Sequence, residues 1–534
     1  MRAIQIFFIA LLVPFIPTAT LISQPMMLDE RFGDGGRFIT SVSDYSDYAL
    51  STTPVSDAGT LTCGFYIRDI ARPYTGAGYL MKVRANGMLD NRFGNSGFLR
   101  DTLAGTLAFL NAVEMPNGNI LLIAGGQISP TGSVQYPILY RLLPTGRPDT
   151  NFGNGGRLIL LDNPRTGIGD IRRMSDGKYI VSCSFFDGAS EFDAGLMRLN
   201  MDGTPDSTFG INGFRVYHNP ILYDLCEGME LQPDGKVVMI CRQYMKYDQS
   251  VVAIYRMNSD GSVDSSFGTY GKVIVRSPLS EGYCAMTDVL IQPDGRIITT
   301  GYAYSGSVVW YTNIFMIARY MPDGRPDSSF GTNGIAIHDI APGEEHSVAS
   351  ALQPDGKILI LGNVGAPFPV FQSYSGVVRL LSDGRVDSSF GVNGVIVTDL
   401  TGTEGQGVSD IHITPDNGFM ITGHGYEDNW NGYFNLVLVK YSPQFVSSVE
   451  LQSTDEPFAY PNPATTHIRI AIPTDATGEH HRVTLFDMLG NAVAESTTGI
   501  LHITNLAAGQ YMVRMEYETS TEVAVKYQTV MIGL

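Results

Sequence analysis

The sequence predicts an all-β protein built mainly from one repeated antiparallel sheet, and three observations carry that prediction. An aspartate followed by Phe-Gly recurs seven times at near-constant spacing. A second turn motif recurs within the same period. Glycine makes up 59 of the 534 residues, the surplus expected of many tight turns between short strands.

The first 24 residues form an expected export signal. Arg2 precedes an apolar run over 4–16, broken by Gln5 and Pro14, and then come the small residues Thr18, Ala19 and Thr20. The run is too short for a membrane-spanning helix, which needs about 20 apolar residues. No cysteine follows it to carry a lipid, and no later segment is apolar enough to span, so no transmembrane segment is expected after cleavage.

Residues 28–445 hold the repeats. The motif stands at Asp29/Phe32, Asp90/Phe93, Asp149/Phe152, Asp206/Phe209, Asp264/Phe267, Asp327/Phe330 and Asp387/Phe390, with steps of 61, 59, 57, 58, 63 and 60 residues between aspartates. Between them lies Gln-Pro-Asp-Gly-Lys or a close variant, clearest at 232–236, 291–296 and 352–357 and looser around Asp57, Asn117, Asp176 and Asp416. Proline second and glycine fourth is the chemistry of a hairpin turn. Apolar runs flank it, a third run follows, and a fourth begins past Phe-Gly, which gives the four strands of a propeller blade. The end units are incomplete in complementary ways. The first has only the Asp-Phe turn and the strand at 37–40, and the last lacks both. Placing the N-terminal strand on the last blade completes seven blades and leaves no open sheet edge.

These motifs resemble the delta-60 repeat, a bacterial family without assigned chemistry, and the resemblance implies a β-propeller. Each aspartate sits where a carboxylate caps its own turn, and the spacing does not match the alternate oxygen ligands of a calcium loop. Each phenylalanine reads as a plug between blades. Neither a metal site nor a cofactor is expected.

Residues 446–457 are polar and acidic and read as a linker. Residues 458–534 alternate as a small immunoglobulin-like β-sandwich entered through Tyr460-Pro461-Asn462-Pro463, with turns at Gly490 and Gly509. This segment resembles the type A C-terminal sorting domain of the type IX secretion system of Bacteroidetes. The resemblance implies the secretion machinery as a partner, and a destination on the outer-membrane surface or outside the cell.

The expected ligand face follows from turn chemistry. Both stereotyped turns of a blade share one face, so the variable loops share the other. Those loops carry many aromatics, among them Tyr247, Trp310, Tyr311, Trp430 and Tyr433, which suggests a surface for a glycan or a protein. A net charge of -18 argues against nucleic acid. The five cysteines have no metal-ligand spacing; Cys183 and Cys241 occupy a position that elsewhere takes glycine or alanine, and Cys226 and Cys241 flank one hairpin, which leaves a cross-strand disulfide open. No nucleophile elbow, P-loop or His-Glu metal motif is present, so no catalytic residue is expected. The leading function is a binding or structural module. The alternative is a secreted hydrolase or lyase using carboxylates in the central mouth.

Overall fold

The computed structural model describes residues 26–443 except 69–75, 102–106, 128–134, 161–166, 187–191, 218–222, 245–249, 280–283, 308–309, 341–344, 366–372, 399, 401–405 and 427–432. In the C-terminal part it describes 459–460, 467–470, 481–486, 492–498, 500–503, 506, 509–518 and 523–532. Two compact units result, residues 1–443 and 444–534. The expected export signal and linker lie outside the described residues.

The first unit consists of propeller-like antiparallel sheets, with no helix among the described residues. Six sheets have four strands in simple up-and-down order. In the fourth, for example, Tyr223–Leu231, Val237–Tyr244, Ser250–Met257 and Lys272–Val275 pair in succession. Tight turns at the Gln-Pro-Asp-Gly motif and at Asn258–Gly261 make this order the short path. Gly235 and Gly261, at φ of 82° and 81°, take the left-handed conformation these turns require.

The remaining sheet joins the two ends of the unit. Gly407–Ile413, Phe419–Tyr426 and Phe434–Pro443 pair in order, and Arg37–Thr40 pairs with the last of these at Leu436 to Val439. Met26–Leu28 adds to the same strand at Tyr441 to Pro443. This sheet therefore has five strands where the repeat pattern anticipates four, because the chain ahead of the first motif is already extended and apolar.

Cores lie between sheets, and each repeat phenylalanine sits in a different one. Phe32 shares a core with Tyr79, Leu436 and Leu438 from the first and last sheets, and Phe93 with Leu61, Leu80 and Leu122 from the first and second. Phe152 lies with Leu121, Val181 and Met197 from the second and third, and Phe209 with Ile180, Val237 and Met239 from the third and fourth. Phe267 packs with Val238, Ile254, Met286 and Ile297 from the fourth and fifth. Phe330 joins Ile298, Ile317 and Ile358 from the fifth and sixth, and Phe390 joins Leu359, Val377 and Ile421 from the sixth and last. The first strand of every sheet adjoins the first strand of the next, and Gly407–Ile413 adjoins Asp47–Pro54.

The second unit has a three-stranded sheet and a four-stranded sheet that share one core, with Ile468, Ile470 and Leu501 from one meeting Val483, Leu485, Val513 and Met515 from the other.

Candidate functional site on the inner strands

The repeat residues assemble a joint between neighbouring sheets. At Asp29, Asp90, Asp149, Asp206, Asp264, Asp327 and Asp387, Oδ1 accepts the backbone N–H two residues on, at 3.0 to 3.3 Å, an Asx-turn. The second oxygen receives cations. Asp264 Oδ2 accepts from Arg256 Nε at 2.8 Å and Lys236 Nζ at 2.9 Å. The Arg256 guanidinium lies 4.6 Å over the Phe267 ring and donates Nη1 to the Pro322 carbonyl of the next sheet. Gly268 N–H donates to Asp323 O, and a Cβ on Gly324 would lie 2.9 Å from Phe267.

The repeat phenylalanines are removed from any ligand-contacting surface. Phe32, Phe93, Phe152, Phe209, Phe267, Phe330 and Phe390 are each at most 3% exposed, so their rings meet only protein.

Sequence reasoning missed the arginine above them. A cation recurs at the end of each third strand, as Lys82, Arg141, Arg198, Arg256, Arg319, Arg379 and Lys440, a period as regular as that of the aspartates. Five of the seven are arginines stacked on a repeat phenylalanine at 4.5 to 4.7 Å, on Phe152, Phe209, Phe267, Phe330 and Phe390 in turn. The plugs at Phe32 and Phe93 stand instead in the units whose third strand ends in lysine, Lys440 and Lys82. Burial works against ionisation of Asp264, but hydrogen bonds from Ser266 and Lys236 and the charge of Arg256 hold its carboxyl well below the usual range. Asp29 and Asp206 are lowered against the same burial penalty, and Asp90 chiefly by its bond from Arg92. The charged groups of the joint are used internally.

A different polar cluster forms on the first strands. Each of these seven strands has a register irregularity near its middle. At or just after it stand Ser51, Asn111, Asp170, Gly228, Asp288, Ala349 and Asp410. Asp410 Oδ2 accepts Thr52 N–H at 2.7 Å and Ser51 Oγ at 3.2 Å, while Oδ1 accepts Ile411 N–H at 2.8 Å. Asp288 repeats the pattern with Ser350 N–H and Oγ, both at 2.8 Å, and Val289 N–H. Asp170 accepts from Asn111 Nδ2 at 2.6 Å, from Ile171 N–H and from Arg172, which also reaches Glu230 at 3.4 Å.

These carboxyls titrate unlike those of the joints. Burial, reinforced by the charge of Asp288, pushes Asp410 up to about 7. Burial pushes Asp288 up to about 6, against the Ser350 hydrogen bonds and the Arg172 charge. Asp170 is raised by burial, with Arg172 opposing and Glu230 adding. The groups feel one another across sheets, Asp410 the charge of Asp288 and Asp288 that of Arg172, which makes one coupled polar cluster. It can bind a polar group or exchange a proton. Among the described residues no group of three or more acidic, histidine or cysteine side chains is placed to hold a metal ion.

Of the aromatic residues expected on the loops, Tyr433 joins an aromatic cluster, and its neighbours there are residues outside that expectation. Tyr433 meets Tyr45 edge-on at 5.4 Å, beside a cluster in which Tyr48 stacks on Phe65 at 4.8 Å and Phe434 on Tyr426 at 4.4 Å, with His424 between. Trp310 and Tyr311 are not in a loop. The hairpin of the fifth sheet extends, pairing Ser307 with Trp310 and Gly306 with Tyr311, because residues 302–313 are rich in strand-forming residues. Tyr247, Trp430, Pro461, Asn462, Pro463 and Gly490 lie outside the described residues. Tyr460 ends a two-residue strand and Gly509 begins Gly509–Glu518.

Comparison with known families fits this geometry. Residues 175–209, 232–267, 292–330 and 353–390 match a β-propeller domain of unknown function, DUF5122, each segment running from near a hairpin turn to the repeat phenylalanine. Residues 459–527 match the secretion system C-terminal sorting domain. The chain is a β-propeller protein with a type IX sorting tail. The propeller is therefore exported, to the outer-membrane surface or the extracellular space. No curated protein matches the sequence. Solved structures similar to the propeller protein include a protein of unknown function from Dyadobacter fermentans, at 12% identity and TM-score 0.41, covering 64% of this chain and 95% of that one. Polysaccharide lyase Uly1 is similar at 9% identity and TM-score 0.44, covering 76% and 98%. An α-L-arabinanase of Penicillium chrysogenum is similar at 14% identity and TM-score 0.36, covering 61% and 91%. Likeness this distant carries no argument about chemistry.

Proposed function

We propose that residues 26–443 close as a ring of seven blades, sealed where the N-terminal strands pair with the last sheet, and that the ring is an exported binding module followed by an immunoglobulin-like sorting domain. The hydrogen bonds that Asp410 accepts from Ser51 and Thr52, which tie the last sheet to the first, support the closure. The ligand face is the loop face, and its class of ligand is a glycan or a surface protein. The observation carrying this reading is the half-buried aromatic cluster of Tyr45, Tyr48, Phe65, Tyr426, Tyr433 and Phe434 at the loop ends of the first and last sheets, opposite a turn face committed to joints. The test is a glycan and surface-protein array probed with the mature propeller and with Y433A and W310A/W430A variants. Specific binding that weakens at least about tenfold in the variants is expected. Binding that is unchanged in all of them overturns the aromatic face.

A second reading, a polysaccharide or peptide hydrolase or lyase, is favoured by two raised carboxyls, Asp288, which feels the charge of Arg172, and Asp410, which feels that of Asp288. Turnover of any array ligand that disappears in both D288N and D410N would support it. Binding without turnover leaves the module reading standing.

A further inference from the structure

We propose that Cys226 and Cys241 are joined by a disulfide in the exported protein. They are direct cross-strand partners in the first hairpin of the fourth sheet, Cys226 on Tyr223–Leu231 and Cys241 on Val237–Tyr244. Residues directly opposite in an antiparallel pair point their side chains to the same face, with Cα atoms about 4.5 to 5.5 Å apart, inside the range a disulfide needs. The Cys226 side chain is near enough to help push the Cys241 thiol up. The other cysteines have no such partner. Cys63 stands opposite Ser51, Cys183 opposite Ile168 and Cys284 opposite Ala303. Cys183 is near enough to Cys226 to interact with it electrostatically, but it belongs to the third sheet.

The destination supplies the chemistry. An exported chain leaves the reducing cytoplasm and meets disulfide oxidants. Cys226 is half-buried and adjoins the exposed bulge residue Glu227, whereas Cys241 is fully buried. Attack therefore begins at Cys226. Its thiolate displaces one sulfur of a disulfide oxidant, forming a mixed disulfide and releasing one thiol. The Cys241 thiolate then displaces the second sulfur, so two electrons and two protons pass from the cysteine pair to the oxidant, which leaves as two thiols. The bond pins the innermost hairpin of the fourth sheet across its bulge, where Gly228 and Glu230 reach the polar cluster of the first strands.

The test is a thiol count and unreduced peptide map of the full-length protein recovered from the medium or cell surface, then treated with oxidised glutathione. The expected result is three free thiols of the five cysteines and one cross-linked peptide pair joining Cys226 to Cys241. The C226S variant should show four free thiols and no cross-link. In the wild type alone, reductant should lower the melting temperature. Five free thiols after oxidation, or a link between Cys183 and Cys226, overturns the assignment, and both are read on the wild type, whether or not the variant folds.

Discussion

Two sets of aspartates, both on the sixty-residue period, behave in opposite ways. The joint aspartates, such as Asp264 and Asp206, lie under arginines and are held ionised. The inner-strand aspartates Asp288 and Asp410 accept their hydrogen bonds from neutral backbone and hydroxyl donors and are pushed toward the protonated form. What separates them is the kind of donor set against burial. Cations bonded to the joint carboxylates offset the cost of burial there, while on the inner strands burial prevails over neutral donors, with the Asp288 charge adding to it at Asp410 and Arg172 opposing it at Asp288. The joint is thus built for cohesion. The inner cluster keeps carboxyls whose ionisation burial disfavours.

The comparison breaks most visibly at the joint. D264A leaves Arg256 and Lys236 without their shared carboxylate beside the Phe267 core, and should cost about 3 to 5 kcal/mol in urea unfolding. A loss under about 1 kcal/mol would mean that the pair holds nothing together. R256K keeps the charge but loses the forked donation to Asp264 and Pro322 and the stacking on Phe267, so about 1 to 2 kcal/mol should go. Full retention would show that charge alone holds the joint. R325A is the smallest change. Arg325 pairs with Asp323 at 2.7 Å on the same turn, but 78% of its side chain is exposed, and its removal should shift stability by no more than about 0.5 kcal/mol.

How far these regions could be read from the sequence follows the same division. Asp264, Phe267 and Gly268 were legible because a turn is local and its residue types recur in order. Arg256 recurs as faithfully, but it sits within a strand, where a lone cation gives no turn signal, and its partners Asp264 and Pro322 are 8 and 66 residues away. The inner cluster was illegible. Ser51, Asn111, Gly228 and Ala349 occupy the places that carry aspartate in other units, so there is no repeat to see. Asp410 meets Thr52 across 358 residues only because the first and last sheets adjoin. Trp310 was assigned to a loop because the hairpin of the fifth sheet is longer than those of its siblings, an exception that an average repeat hides.

The opposed titrations are tested most directly by the melting temperature of the wild type, D264N and D410N between about pH 3 and 8. Asp264 has a lowered native pKa, so its stabilisation is present above the ordinary carboxylate range and is lost as pH falls. The wild-type advantage over D264N should therefore grow from about pH 3 to 6 and then level off. Asp410 has a raised native pKa, so its contribution is fully present below the ordinary value and is lost as pH rises through about 7. The wild type should accordingly lose ground to D410N between about pH 4 and 7 and hold level above that. Difference curves of the same sign, or a flat curve for D410N, would contradict the account.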